Sequence, residues 1–92
     1  MKTEERIPYK SSQTASRVID GEAVVVIPEK SEVKVLNKVG SRIWELINEE
    51  RKVKKIAELI HKEFEVSQEK ALQDTIEFID DLRKKGMVTF KG

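Results

Sequence analysis

The stretch from Glu32 to Leu46 reads EVKVLNKVGSRIWEL, and the spacing of its apolar residues changes along its length. The first part alternates, which places Val33 and Val35 on one side of an extended chain. Asn37 belongs to the residue types that cap helix N-termini, and the apolar residues after it recur at helical spacing. The stretch therefore predicts a strand over Glu32–Leu36 that leads directly into a helix.

Two further strands are predicted before this one. Thr14–Ile19 and Glu22–Ile27 flank Asp20-Gly21, a dipeptide that favours a tight turn because both of its positions need positive φ. Glu22–Ile27 is apolar on both faces, which suits the central strand of a three-stranded meander. The strand Glu32–Leu36 then lies at an edge of the sheet.

Three helices follow the predicted sheet. The second spans about Val53 to Phe64, and the third begins after a Ser67 cap and ends before Gly86. The fold class is therefore α+β and winged-helix-like, with a three-stranded antiparallel sheet followed by three helices. The third helix carries a core row and a second apolar row beside it. The core row is Leu72, Ile76, Ile79 and Leu82, and the second row is Ala71, Thr75, Phe78 and Leu82.

The chain is short enough for one domain only, since two halves of 92 residues would each bury too little apolar surface. Residues 1–13 are polar and show no periodicity, so we expect a flexible N-terminal arm before a domain over residues 14–92. The longest apolar run, Ala23–Ile27, is too short to span a membrane. The absence of cysteine excludes disulfides and fits a cytoplasmic protein.

The sequence offers little for catalysis. His61 is the only histidine, no cysteine is present, and the four glycines do not form a phosphate-binding loop. Carboxylates of the third helix stand four residues before lysines, as in Asp80 with Lys84, which is typical of a solvated helix face. We therefore predict a binding domain with no catalytic residue, no metal site and no cofactor.

A winged-helix module that binds nucleic acid or regulates transcription is the alternative. The second and third helices could form a helix-turn-helix, but the charges oppose it, because phosphate contacts dominate affinity for DNA. From Ser67 to Leu82 the only base is Lys70. The acids of that segment are Glu69, Asp74, Glu77, Asp80 and Asp81. A further alternative is a structural subunit that forms a homodimer through its apolar strands.

Peptide binding suits the predicted edge strand better. A strand at a sheet edge has unpaired backbone groups that can accept an extended peptide as an additional strand. The alternative is that Lys34 only protects this edge against aggregation. The residues by themselves leave both interpretations open.

Three segments resemble PqqD-like proteins. Val35–Leu46 is similar to their "LN…IW.L" signature, and Val53–Ala57 is similar to the opening of their second helix. A third pattern, "D…FL..L…GL", is matched by Asp74, Phe78, Ile79, Leu82 and Gly86-Met87-Val88. The resemblance covers about residues 14–90.

The resemblance implies a function. PqqD-like domains bind the leader of a ribosomally made precursor peptide and present it to a modifying enzyme, often a radical SAM enzyme. By that resemblance the leader adds as a strand to Glu32, Val33, Lys34, Val35 and Leu36. The second apolar row of the third helix, Ala71, Thr75, Phe78 and Leu82, would form the opposite wall. Packing of this row against the first helix or a partner subunit is the alternative.

On the residues alone, Lys34→Pro is expected to lower the affinity for the peptide while the fold survives. Proline removes one backbone N–H donor, and at a free strand edge that donor would bond the peptide. A titration of the variant with a leader peptide measures the loss.

Overall fold

The computed structural model describes residues 2–48 and 50–90 and contains five strands and three helices within them. Met1, Glu49, Lys91 and Gly92, which the sequence analysis assigns to the arm and the domain, lie outside the described residues. Short 3-10 turns occur at Thr3–Glu5 and Pro28–Lys30. The elements are β1 (Pro8–Lys10), β2 (Ala15–Ile19), β3 (Glu22–Ile27), β4 (Glu32–Val35), α1 (Lys38–Leu46), α2 (Val53–Phe64), α3 (Gln68–Lys84) and β5 (Val88–Phe90).

The antiparallel meander β2–β3–β4 is confirmed, with β3 in the centre and β4 at an edge. Asp20 and Gly21 join β2 to β3 with φ values of 51° and 80°, which is the left-handed geometry that a two-residue hairpin turn needs. The α+β class and the order of three strands followed by three helices are confirmed as well. This arrangement is consistent with a winged-helix-like fold.

A second, two-stranded sheet joins the two ends of the chain. β1 pairs antiparallel with β5, with Pro8 opposite Phe90. The backbone N–H of Val53 donates to the oxygen of Arg6 at 2.9 Å, which ties the same segment to the start of α2. Residues 3–5 and 8–10, which the sequence assigns to a flexible arm, form a 3-10 turn and strand β1. A strand of three residues is too short to show periodicity, and the partner of β1 lies at the far end of the chain, so the sequence does not reveal this pairing. The domain boundary at residue 14 stays a prediction.

The hydrophobic core lies between one face of the meander and the helices. From β3 it takes Ala23, Val25 and Ile27, whose side chains are at most 2% exposed. The other large side chains that are fully buried are Leu36, Ile43, Ile47, Val53, Ile56, Ile60, Ile79, Leu82, Met87 and Val88. The opposite face of the meander has no helix against it, and Val24 and Val26 remain half-exposed there.

A serine side chain joins the sheet to α1. The N–H of Ala23 donates to Ser41 Oγ at 2.7 Å, and this hydroxyl donates to the oxygen of Leu36 at 3.2 Å. The N–H of Leu36 in turn donates to the oxygen of Ala23 at 2.8 Å. The hydroxyl of Ser41 is therefore inserted into the last rung of the β3–β4 ladder, and it fixes α1 against that rung.

Ser41→Ala is expected to lower the free energy of unfolding by about 1–3 kcal/mol, because it leaves the buried N–H of Ala23 without an acceptor. Urea unfolding followed by circular dichroism measures the change. Ser16→Ala, at an exposed serine of β2, is the matched control and should leave the midpoint almost unchanged. Equal midpoints for the Ser41 variant and the control would contradict the joining role of Ser41.

Candidate functional site

The free edge of β4 exposes the backbone groups of two residues. Leu36 is hydrogen-bonded to Ala23, and hydrogen-bonded pairs alternate with non-bonded pairs along an antiparallel ladder. Lys34 therefore bonds Val25 within the sheet, while the N–H and C=O groups of Val33 and Val35 point away from β3. A strand that adds to β4 has to pair with Val33 and Val35.

This register corrects the test proposed from the sequence. Lys34→Pro removes a donor from the rung with Val25, inside the sheet, and not from the free edge. It is therefore expected to weaken the fold, in contrast to the sequence-based expectation. The alternating pattern of the sequence shows that neighbouring residues point their backbone groups in opposite directions, but it does not show which of them faces the partner strand.

A groove with a volume of about 430 Å³ lies between the beginning of α1 and α3, and one of its lining residues, Asp81, pairs with Lys34 of β4. Its lining combines apolar side chains with three carboxylates. It consists of Asn37, Val39, Gly40, Ile43, Asp74, Glu77, Phe78 and Asp81. The groove thus has an apolar bottom and an acidic rim on α3.

Gly40 determines how closely Phe78 approaches α1. A Cβ atom at Gly40 would lie 2.9 Å from Cε1 of Phe78, well inside a normal contact distance. The absence of a side chain therefore lets the Phe78 ring lie directly against the first turn of α1. The side chain of Asn37 accepts a hydrogen bond from the N–H of Gly40 at 2.8 Å, so the same turn is also held by its cap.

An ion pair connects the strand to the acidic rim. Lys34 Nζ donates to Asp81 Oδ2 at 2.7 Å, and Lys85 lies 3.6 Å from the other carboxylate oxygen. The hydrogen bond from Lys34 holds the pKa of Asp81 below its usual value. Because Lys34 belongs to β4 and Asp81 to α3, this pair links the two sides that a bound segment would contact.

The predicted site residues do not all reach the surface. Glu32, Val33 and Val35 are exposed on β4, and Lys34 is half-buried. Of the predicted helix wall, only Phe78 lines the groove. The residues that are buried in the core instead are Leu36 (2% exposed), Ala71 (1%), Thr75 (0%) and Leu82 (0%).

Sequence reasoning missed the three carboxylates of the rim. Asp74, Glu77 and Asp81 follow one another at spacings of three and four and share a helix face with Phe78. That spacing is visible in the sequence, but there it is indistinguishable from an ordinary solvated face. Only the position of α3 beside β4 makes this row part of a groove.

Other candidate sites are weaker. A depression of about 340 Å³ lies between α2 and α3 and includes His61, whose Nδ1 contacts the backbone oxygen of Val66. In the described part of the chain, no three His, Asp or Glu side chains are grouped so that they could hold a metal ion. None of the described helices is long and apolar enough to cross a membrane.

The family model of Coenzyme PQQ synthesis protein D (PqqD) matches residues 22–88. The chain belongs to the PqqD family. The resemblance found in the sequence is thereby confirmed, and the matched segment includes β4, the groove and all of α3. A comparison with curated proteins gives no match.

Two solved structures share the fold of this PqqD-family chain. One is described as TbiB1 in complex with the TbiA(beta) leader peptide; it is 28% identical, with a TM-score of 0.80, and the match covers 91% of this chain and 95% of that chain. The other is described as lasso peptide synthetase B1 complexed with the leader peptide; it is 18% identical, with a TM-score of 0.82 and coverage of 90% and 98%. At 18% identity the second likeness shows the fold alone.

The ion pair between Lys34 and Asp81 predicts an acid-sensitive contribution to stability. Because the pKa of Asp81 is lowered in the folded state, the contribution is present above the usual carboxylate pKa of about 3.9 and is lost as the pH falls through the lower folded value. Lys34→Met should therefore be less stable than wild type at pH 7, by about 0.2–1 kcal/mol as for solvent-exposed pairs. The difference in the free energy of unfolding should shrink as the pH falls below the usual carboxylate range.

Urea unfolding at pH 7, 4 and 2 measures this difference. Lys38→Met is the control, since Lys38 is exposed and forms no ion pair among the described residues. The difference between the free energies of unfolding of Lys38→Met and wild type should not change with pH. A gap between wild type and Lys34→Met that is the same at pH 7 and pH 2 would exclude a folded-state contribution of the pair.

Proposed function

We propose that this PqqD-family chain binds the leader segment of a ribosomally made precursor peptide as an additional strand on β4. It holds and orients the peptide for a separate modifying enzyme, which can be a radical SAM enzyme, and performs no chemistry of its own. The observation that carries the proposal is the free backbone edge at Val33 and Val35, which lies beside the groove that contains Phe78.

The structure that is 28% identical supports a peptide as the ligand. It is described as a complex with a leader peptide, and the match covers 91% of this chain. Because a ribosomal precursor is made in the cytoplasm, we place the chain there. The absence of cysteine fits that compartment.

The groove supplies two kinds of contact. The backbone groups of Val33 and Val35 give two rungs of hydrogen bonds that do not depend on the peptide sequence. Peptide side chains that point toward α3 meet the ring of Phe78 and the carboxylates of Asp74 and Glu77, so these residues can select the sequence. Binding raises the local concentration of the precursor at the modifying enzyme, which is sufficient to accelerate the modification.

No observation favours nucleic acid as the ligand. The helix α3, which would be the DNA-reading helix of a helix-turn-helix, presents Asp74, Glu77 and Asp81 at the groove. These carboxylates repel phosphates, and phosphate contacts supply most of the affinity for DNA.

Val33→Pro is expected to weaken leader binding about tenfold. Proline removes the N–H that points from the free edge to the added strand, and it leaves a peptide carbonyl without its donor. Proline is tolerated at an edge position whose N–H faces away from the sheet, so the variant should still fold. Isothermal titration calorimetry with synthetic leader peptides, including the TbiA(beta) leader, measures the affinity.

Val18→Pro is the matched control. Val18 lies on β2 at the other edge of the meander, and its N–H also points away from β3, because Ile19 and Arg17 occupy the bonded rungs. The control should bind the leader like wild type. Equal affinities for wild type and Val33→Pro would exclude strand addition at β4.

A further inference from the structure

The strands of the meander carry the large exposed apolar side chains of the described residues, and those of β4 lie on the uncovered face. The large apolar residues that are mostly exposed within residues 2–48 and 50–90 are Val18 (67%), Ile19 (52%), Val33 (61%) and Val35 (65%). Two of the four belong to β4. Exposed valines on an edge strand favour association with another strand, and a contiguous exposed apolar patch is typical of an interaction surface.

The register of the sheet places Val33 and Val35 in a continuous patch with two valines of β3. Val35 lies opposite Val24, and Val33 lies opposite Val26, and cross-strand partners share a face of the sheet. We name Val24, Val26, Val33 and Val35 the outer patch. It is on the side of the sheet that the helices leave uncovered, and it ends at the free edge where the proposed function adds a strand.

A strand added to β4 necessarily extends this patch. Its side chains alternate between the two faces of the sheet, so every second residue lies beside Val33 and Val35. The residues between them point to the opposite side, toward Lys34 and the groove. Neighbouring strands are about 4.8 Å apart, which brings these side chains into contact.

We propose that the outer patch is a second specificity surface for the bound peptide. Alternate apolar side chains of the peptide, β-branched or aromatic, pack on Val33 and Val35, while the intervening side chains enter the groove. The ligand is therefore an extended segment that is apolar at every second position on its outer side. This inference rests on the proposed function, and its occupant is the same peptide strand, because the patch is continuous with the edge that this strand occupies.

The binding pattern distinguishes this inference from recognition by the groove alone. If only the groove selected the sequence, the outward residues of the peptide would be unrestricted, because they would contact solvent. If the peptide also contacts the outer patch, the residue types at both the inward and the outward positions of the peptide are restricted. Valine-to-threonine changes test this directly, because threonine keeps the shape, the strand propensity and the backbone N–H, and replaces one methyl group by a hydroxyl.

The experiment starts with a display library of random 16-residue peptides, selected on the intact chain and counter-selected on Val33→Pro. Peptides that survive both steps bind at the strand edge. We expect them to carry apolar residues at alternate positions on the outer side. The double variant Val33→Thr/Val35→Thr should bind them about tenfold more weakly than wild type, because two partly buried methyl groups are lost from the contact.

Val18→Thr is the matched control, since Val18 is equally exposed but lies on the other edge strand and faces the opposite side of the sheet from Val33. It should bind the selected peptides like wild type. Thermal unfolding of all variants should be nearly unchanged, because the substituted side chains are exposed.

Three results would overturn the inference. Selected peptides that bind the double threonine variant as tightly as wild type would show that the outer patch makes no contact, and strand addition would still stand. A double variant that loses a dimer in sedimentation but not peptide affinity would assign the patch to a second copy of the chain. If no peptide that binds the intact chain survives counter-selection on Val33→Pro, the proposed function itself fails.

Discussion

The hydroxyl of Ser41 lies where the sheet passes into the helices, and it bonds both sides of the last β3–β4 rung. This contact, together with the burial of Leu36, fixes the rotation of β4 about its own axis. Since neighbouring residues in a strand point in opposite directions, every other orientation in β4 follows from it. Lys34 faces the helices, and Val33 and Val35 present their side chains to solvent and their backbone groups to the free edge.

The groove depends on two contacts of α3 with the elements before it. The ring of Phe78 lies against Gly40, where only a hydrogen atom leaves room for it, and Asp81, which lines the groove, pairs with Lys34 of β4. One contact is made by shape and the other by charge. Together they hold an acidic and partly aromatic wall at a fixed distance from an open strand edge, which is the arrangement that a peptide strand needs.

The contacts that join β1, β5 and the start of α2 involve none of the residues that line the groove. β1 and β5 pair, the guanidinium of Arg6 lies 4.3 Å from the centre of the Phe90 ring, and Glu5 forms ion pairs with Lys52 and Lys54. These contacts fasten the N-terminal segment to the start of α2. The groove and the outer patch are left free of them, so that the stabilising contacts and the proposed binding surfaces occupy different parts of the fold.

The sequence by itself determined the local structure, because a turn, a cap or an alternating strand depends on neighbouring residues. The Asp20-Gly21 turn, the Asn37 and Ser67 caps and the span of α2 all occur as predicted. Its periodicity also showed that β4 and α3 each have two different sides. Only the tertiary structure decided which side is covered. Thr75 is buried and Asp74 lines the groove because α3 packs at one particular rotation, and β1 forms because β5 lies beside it. Such choices depend on contacts between residues far apart in the chain, and a local pattern carries no information about them.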